Sequence, residues 1–202
     1  MSSTGQRTSY PVAARELLRN TLLDAALEAL RTHRWADVTM ADVAEAAGVS
    51  RQTLYNEFGS RDEFARILLL READRFLVSV EEAVRAHLDD PAVALSAAFD
   101  VFLIAAAENP LVGSVFQGGA DELLALVTTR GMPLIEHAVE RLAGVMTDGW
   151  PQAAPADCEL LSECLVRLAI SYAALPKGPT SITADSVAAL LGPYIERALA
   201  EP

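Results

Sequence analysis

The segment Thr39–Arg61, TMADVAEAAGVSRQTLYNEFGSR, constrains this chain more than any other part of its sequence. It has room for two short helices, of roughly eight and nine residues, with Gly48 between them. Thr39 and Ser50 are good N-caps, and each stands just before one of the two helices. Glycine readily adopts the left-handed backbone that a tight turn between helices commonly needs. The segment therefore predicts a helix, a tight turn and a second helix.

The apolar residues of this segment fall on one side of both predicted helices. They form a small inner face made of Val43, Ala47, Val49, Leu54 and Phe58. This arrangement is typical of the helix-turn-helix, in which the second helix enters the major groove of DNA.

The outward-facing residues of the second helix have the chemistry of DNA contacts. Arginine can bond guanine through two hydrogen bonds, and glutamine or asparagine can do the same with adenine, while hydroxyl groups can bond phosphate oxygens. These outward residues are Ser50, Arg51, Gln52, Thr53, Tyr55 and Asn56. The alternative is a solvated polar helix in an all-helical enzyme or interaction protein that uses the helix-turn-helix only for packing.

The rest of the chain also predicts helices. Alanine, the strongest helix former, supplies 36 of the 202 residues, and only 6% of residues are aromatic. Apolar residues recur at helical spacing between breaks at glycine and proline, which gives eight to ten helices and no convincing strand. We therefore expect an all-α fold.

Charge is distributed unevenly along the chain. Residues 1–60 hold six arginines against seven acids, whereas residues 61–202 hold ten basic residues against 21 acids. An acidic surface repels phosphate, so contact with nucleic acid is expected only in the N-terminal part.

The segment from about residue 15 to residue 65 resembles the DNA-binding domain of the TetR (tetracycline repressor) family of bacterial regulators. The matching residues are Leu22–Ala26, Thr39, Val43, Ala44, Ala47–Ser50, Thr53–Tyr55, Phe58, Ser60 and Arg61. The resemblance implies an N-terminal three-helix helix-turn-helix DNA-binding domain over residues 1–60. It also implies a C-terminal helical domain over residues 61–202 that binds a ligand and forms the dimer.

The resemblance also implies individual roles. Thr39, Tyr55 and Arg61 would hold phosphates, and Arg51, Gln52 and Thr53 would face base edges. Arg61 stands where the family usually has lysine, which preserves the charge. Glu57 stands where a basic or aromatic residue is frequent, so we expect it to point away from DNA or to pair with Arg51 or Arg61. Further candidates for contact with DNA from the N-terminal side are Arg7, Arg15 and Arg19.

The last two predicted helices each have an apolar stripe, and the resemblance implies that they form the dimer. The stripes consist of Leu161, Leu165, Leu168 and Tyr172 on one helix and of Val187, Leu191, Ile195 and Leu199 on the other. A plain intramolecular core is the alternative. A dimer would place two recognition helices about one DNA turn (~34 Å) apart, which suits a palindromic operator.

The middle helices supply apolar residues for a ligand pocket, with a few polar groups among them. The candidates are Phe99, Phe102, Leu103, Phe116, Gln117, Met132, His137, Met146 and Trp150. Such a pocket suits a small hydrophobic effector, such as a fatty acid, an acyl thioester or a hydrocarbon. Ordinary core packing is the alternative. The segments 109–119 and 128–133 also resemble those of regulators encoded beside alkane- and lipid-oxidation genes.

The sequence contains none of the usual catalytic motifs, so we expect a regulator and not an enzyme. Three histidines that are fifty or more residues apart predict no metal site, and we expect no cofactor. The polar first twelve residues predict no signal peptide, and the cytoplasm is the expected location. The apolar stretch Ala92–Ala107 has Asp100 in its middle, so it predicts a buried helix and no membrane contact.

The whole pattern predicts a homodimeric repressor that a small apolar ligand releases from a palindromic operator.

Overall fold

A computed structural model describes residues 10–117, 121–175 and 179–199 of the chain. These ranges contain ten α-helices, one short 3-10 turn at Trp35–Asp37 and no strand. The helices are α1 (Tyr10–Ala29), α2 (Met40–Ala46), α3 (Arg51–Phe58), α4 (Arg61–Arg85), α5 (Pro91–Glu108), α6 (Pro110–Gln117), α7 (Asp121–Val127), α8 (Met132–Gly149), α9 (Pro155–Ala174) and α10 (Thr180–Leu199). The expected all-α fold is confirmed.

The chain divides into two compact units between Leu68 and Leu69. This boundary lies inside α4, eight residues beyond the end proposed from the sequence. The reason is local packing, because Phe64, Ala65 and Leu68 in the first turns of α4 are fully buried. Helix α4 therefore begins in the N-terminal unit and continues into the C-terminal unit.

The N-terminal unit is built around Phe64. Its ring stacks on Trp35 with 6.4 Å between ring centroids and meets Phe58 edge-on at 4.7 Å. Leu22 of α1 and Leu54 of α3 are also fully buried. Three aromatic rings in contact fix how the 3-10 turn, α3 and α4 pack together.

Short polar signals set the helix boundaries in the C-terminal unit. Asp90 is the N-cap of α5, and one of its carboxylate oxygens accepts hydrogen bonds from the backbone N–H of Ala92 and Val93, both at 3.1 Å. Asn109 ends α5, and its side-chain oxygen accepts from the N–H of Leu111 at 2.9 Å at the start of α6. Both caps precede a proline at the first helical position, where no N–H is needed.

The core of the C-terminal unit lies where α5 packs along α10 and α8 packs along α9. Helix α5 is long and apolar enough to cross a membrane by length and composition alone. Its residues Leu95, Phe99 and Leu103 are instead buried in this core.

The core corrects part of the predicted dimer surface. Leu161, Leu165, Val187, Ile195 and Leu199 are all less than 5% exposed within the single chain. Leu168, Tyr172 and Leu191 are partly buried and pack against the same core. A side chain that is already enclosed by its own chain has no surface left for a partner, so the five fully buried residues belong to the intramolecular core that we considered as the alternative. The predicted dimer role of Leu168, Tyr172 and Leu191 stays a prediction.

Candidate functional site

Helix α2 is fixed at its start by a reciprocal pair of hydrogen bonds. The Thr39 hydroxyl accepts from the N–H of Asp42 at 3.2 Å, and the Asp42 carboxylate accepts from the N–H of Thr39 at 2.9 Å. This capping box satisfies two N–H groups that a helix start leaves without partners. The hydrogen bonds from Thr39 lower the pKa of Asp42 below its ordinary value. Thr39 is exposed, and its main contact within the chain is this cap.

The turn between α2 and α3 depends on a left-handed glycine. Gly48 has a φ of +70°, which side chains rarely adopt. The N–H of Val49 then donates to the carbonyl of Ala44 at 2.9 Å, which closes the turn. Val43 and Ala44 of α2 and Leu54 of α3 are almost completely buried on the inner face. The predicted helix, turn and second helix are all present.

Helix α3 presents its polar side chains outward and holds them in place with contacts among themselves. Ser50 is its N-cap, with its hydroxyl accepting from the N–H of Thr53 at 3.1 Å. The Gln52 amide donates to Asn56 at 2.8 Å. The Arg51 guanidinium lies 5.3 Å from the centre of the Tyr55 ring. Ser50, Arg51, Gln52 and Asn56 are exposed, while Thr53 and Tyr55 are half-buried.

Arg61 is placed differently from the phosphate contact that we predicted. Its guanidinium donates to the carbonyl of Val38 at 2.5 Å and to the carbonyl of Trp35 at 2.6 Å, and it lies 4.5 Å from the centre of the Trp35 ring. A guanidinium held this way ties the start of α4 to the turn before α2. The geometry gives Arg61 a structural role inside the N-terminal unit.

Glu57 pairs with arginines of α1 and not with Arg51 or Arg61. Its carboxylate accepts from Arg15 at 2.7 Å, and its backbone carbonyl accepts from Arg19 at 2.9 Å. The Arg19 guanidinium also lies 4.5 Å from the centre of the Phe58 ring. Arg15 and Arg19, which were candidates for DNA contact, therefore hold α1 against α3. Arg7, the third candidate, lies outside the described residues.

The C-terminal unit contains an apolar cavity of about 150 Å³. It lies among helices α4 to α9, and its wall includes Leu69, Phe76, Leu95, Phe99, Phe102, Leu111, Val115, Leu134, Leu142, Leu165 and Ile170. Phe76 and Phe102 meet edge-on with ring centroids 5.6 Å apart. A concave and mostly apolar space is the usual form of a small-molecule site.

Only part of the predicted pocket lines this cavity. Phe99 and Phe102 do. Leu103, Met146 and Trp150 are buried in the core instead, and the Trp150 indole N–H donates to the carbonyl of Leu88 at 3.0 Å. Met132 is half-exposed on the surface. The side chains of Phe116 and Gln117 lie outside the described part of the structure.

His137 is a contact between helices and is not a cavity residue. Its Nε2 lies 2.7 Å from an Asp74 carboxylate oxygen that also accepts from Arg141 at 2.7 Å, and Arg141 further bonds Glu81. Burial acts to raise the pKa of Asp74, but the hydrogen bonds and charges of His137 and Arg141 outweigh it and lower the pKa below its ordinary value. This cluster joins α8 to the second half of α4.

Sequence reasoning missed Glu72, the one charged residue among the described residues that line the cavity. It is 3% exposed, and on α4 it shares a helix face with the apolar residues Leu68, Leu69, Phe76 and Leu77. An acid at helical spacing within an apolar stripe was the signal that could have found it.

The described residues include no group of three or more histidines, cysteines, aspartates or glutamates placed to hold a metal ion. The exposed side chains of the last two helices include Leu160 and Leu190, which are 52% and 75% exposed, and Leu175, which follows the end of α9, is 79% exposed.

Comparison with known proteins gives matches at both ends of the chain. Residues 22–66 match a family described as bacterial regulatory proteins of the tetR family, and residues 90–193 match the C-terminal domain of the bacterial tetracycline repressor. The HTH-type transcriptional regulator AlkX of Mycobacterium tuberculosis is 40% identical over 193 residues, which cover 95% of this chain and 92% of that protein.

Solved structures share the fold. The TetR family repressor AlkX from Dietzia sp., implicated in biodegradation of n-alkanes, is 32% identical with a TM-score of 0.79, over 89% of this chain and 98% of that one. The regulator FadR of Bacillus subtilis in complex with stearoyl-CoA has a TM-score of 0.60 at 17% identity, over 85% of this chain and 96% of that one. The helix-turn-helix and these matches show that the chain belongs to the TetR family of bacterial transcriptional regulators.

Proposed function

We propose that this protein is a cytoplasmic homodimeric repressor that reads a palindromic operator with α3 and releases it when a small apolar effector fills the cavity of the C-terminal unit. The observation that carries the proposal is the outward face of α3, where exposed groups suited to bases stand on a rigidly capped helix. Arg51, Gln52 and Thr53 would read bases, with Ser50, Tyr55, Asn56 and Thr39 beside them. Family membership supports DNA binding by this segment.

A gel shift with DNA from upstream of the protein's own gene tests the reading role of α3. Arg51→Ala removes a bidentate base contact, so it should cost about 1–3 kcal/mol in operator affinity and relax the preference for one base pair. Arg31→Ala is the matched control, because Arg31 is an exposed arginine of the same unit that pairs with Glu28. Equal effects of the two substitutions would contradict the role of α3.

Dimerisation is proposed through the outer faces of α9 and α10. These faces include Leu160 and Leu190, which would otherwise expose apolar surface to water. Leu190→Glu should shift the sedimentation coefficient from that of a dimer to that of a monomer. Leu17→Glu, at a 70% exposed leucine of α1, is the control and should leave the dimer intact. A dimer that survives Leu190→Glu would place the interface elsewhere.

Ligand control is proposed through the cavity, and two observations support it. The wall is almost entirely apolar, and the 32% identical AlkX repressor from Dietzia is implicated in n-alkane biodegradation. Six residues of α4, among them Glu72 and Phe76, line the cavity, and the same helix begins in the N-terminal unit. An effector that shifts α4 would weaken operator binding, and the operator would weaken effector binding by the same factor.

A further inference from the structure

Among the described residues that line the cavity, Glu72 is the one with a charged side chain. The other residues that line the cavity are alanines, leucines, isoleucine, valines and phenylalanines. Glu72 is 3% exposed, so its carboxylate lies in a region of low dielectric. A ligand in this cavity would therefore be surrounded almost entirely by hydrocarbon, with Glu72 as the charged residue beside it.

The partners of Glu72 approach it from outside the cavity. One of its oxygens, Oε1, accepts from Arg75 at 3.0 Å and lies 3.4 Å from Arg71. The other oxygen, Oε2, accepts from the Asn109 amide at 2.8 Å. Neither arginine lines the cavity, and Asn109 does not line it either. The arginines therefore stabilise the negative charge of Glu72 without offering a cation to a ligand.

This arrangement discriminates between ligand head groups. A carboxylate has two oxygens with about four lone-pair positions, so Oε2 can accept a second hydrogen bond beside that from Asn109. A ligand hydroxyl could supply it, and a hydrogen bond to an ionised acceptor is about twice as strong as one between neutral groups. A ligand carboxylate would have to lose its hydration beside a second negative charge with no donor in the wall, which is costly.

We propose that the cavity selects an uncharged apolar effector with a hydrogen-bond donor at one end, such as a straight-chain primary alcohol, and that Glu72 accepts the hydrogen bond from that donor. This inference rests on the proposed ligand control and specifies the class of effector. It disfavours a fatty acid anion, which is one of the effectors that the sequence alone left open.

Three probes of similar length test the head group: 1-octanol, octanoate and octyl methyl ether. Each is titrated calorimetrically into the full-length protein at about pH 7.5, where octanoate is ionised. We expect 1-octanol to bind at least about tenfold more tightly than octanoate, and also more tightly than the ether, which cannot donate. Octanoate or the ether binding as tightly as 1-octanol would overturn the inference while leaving ligand control in place.

Substitution of Glu72 tests whether the preference for 1-octanol over octanoate depends on the charge of this carboxylate. Glu72→Gln keeps the shape and removes the charge, so the ratio of 1-octanol to octanoate affinity should fall to less than about threefold. Glu81→Gln is the control, because Glu81 is also on α4 and paired with an arginine but does not line the cavity. An unchanged ratio in a folded Glu72→Gln protein would overturn the assignment. If that variant does not fold, Glu72→Asp retracts the carboxylate with its charge kept, and should weaken 1-octanol binding while octanoate stays excluded.

Operator release separates this inference from the function on which it rests. 1-Octanol should release the operator in the gel shift at lower concentration than octanoate. If none of the three probes binds while operator binding is normal, ligand control by this cavity is wrong, and the inference falls with it. If octanoate alone binds and releases the operator, ligand control holds and only the assignment of Glu72 is wrong.

Discussion

The N-terminal and C-terminal units of this protein differ in what their cores contain. In the N-terminal unit, Thr39 and Ser50 cap helices through contacts three residues apart, and the side chains of Leu22, Leu54 and Phe64 are fully buried in the core. In the C-terminal unit, Glu72 and Asp74 form contacts between residues tens of positions apart, around a core with a cavity. The core of the first unit is therefore expected to tolerate changes in side-chain volume less well than the core of the second, which has room for another molecule.

Phenylalanine truncations should show this difference most strongly. Phe64→Ala removes a fully buried ring between Trp35 and Phe58, so we expect a loss of about 3–5 kcal/mol in the free energy of unfolding, with loss of operator binding. Phe102→Ala removes a half-buried ring beside an existing cavity and should cost clearly less. Urea denaturation of both variants measures this. Equal losses would mean that the C-terminal core is packed as tightly as the N-terminal one.

Arg61 provides the second test, because two different roles predict different results. If its guanidinium holds the carbonyls of Val38 and Trp35, Arg61→Ala should lower the free energy of unfolding by about 2–3 kcal/mol. The slope of log affinity against log salt concentration should then stay unchanged for the protein that remains folded. A phosphate contact would instead reduce that slope by about 1 with little loss of stability. Salt-dependent operator titrations alongside denaturation distinguish the two roles.

Enlarging an alanine in each unit gives a third comparison. Ala26 of α1 is fully buried in the N-terminal core, so Ala26→Leu should overpack it and cost about 1–3 kcal/mol. Ala173 of α9 lines the cavity, so Ala173→Leu should fill empty space and change stability by less than about 1 kcal/mol. Filling the cavity should also weaken 1-octanol binding about tenfold. Thermal denaturation and calorimetry report both effects, and a large destabilisation by Ala173→Leu would contradict the presence of usable space.

How well the sequence could predict a contact depends on how far apart its two partners lie along the chain. Thr39, Gly48 and Ser50 act on backbone groups within a few residues, so their identities and spacing predicted the helix-turn-helix correctly. An apolar stripe such as that of Leu161 and Leu165 shows that one helix face is buried, but not what buries it. Its predicted position between two chains was therefore wrong, and Leu165 lines the cavity instead.

The same limit explains why the sequence did not predict the partners of the polar residues. The guanidinium of Arg61 finds carbonyls 23 and 26 positions back along the chain, and Glu57 finds Arg15 at a distance of 42 positions. Nothing in the local pattern predicts either partner. The family resemblance implied a role for the basic residue at position 61, but the direction in which its side chain points depends on the tertiary structure.

The smallest effect is expected from protonation of the α2 capping box. The hydrogen bonds from Thr39 lower the pKa of Asp42 below 3.8 in the folded chain. A lowered folded pKa means that the unfolded chain binds the proton more tightly, so this stabilisation is complete above pH 3.8 and disappears as the pH falls through the folded value. Asp42→Asn keeps an acceptor but cannot ionise, so its unfolding midpoint should lie slightly below that of the unmodified protein near neutral pH. The two midpoints should converge in acid, and a gap that persists well below the folded pKa would show that Asp42 stabilises α2 by shape and not by charge.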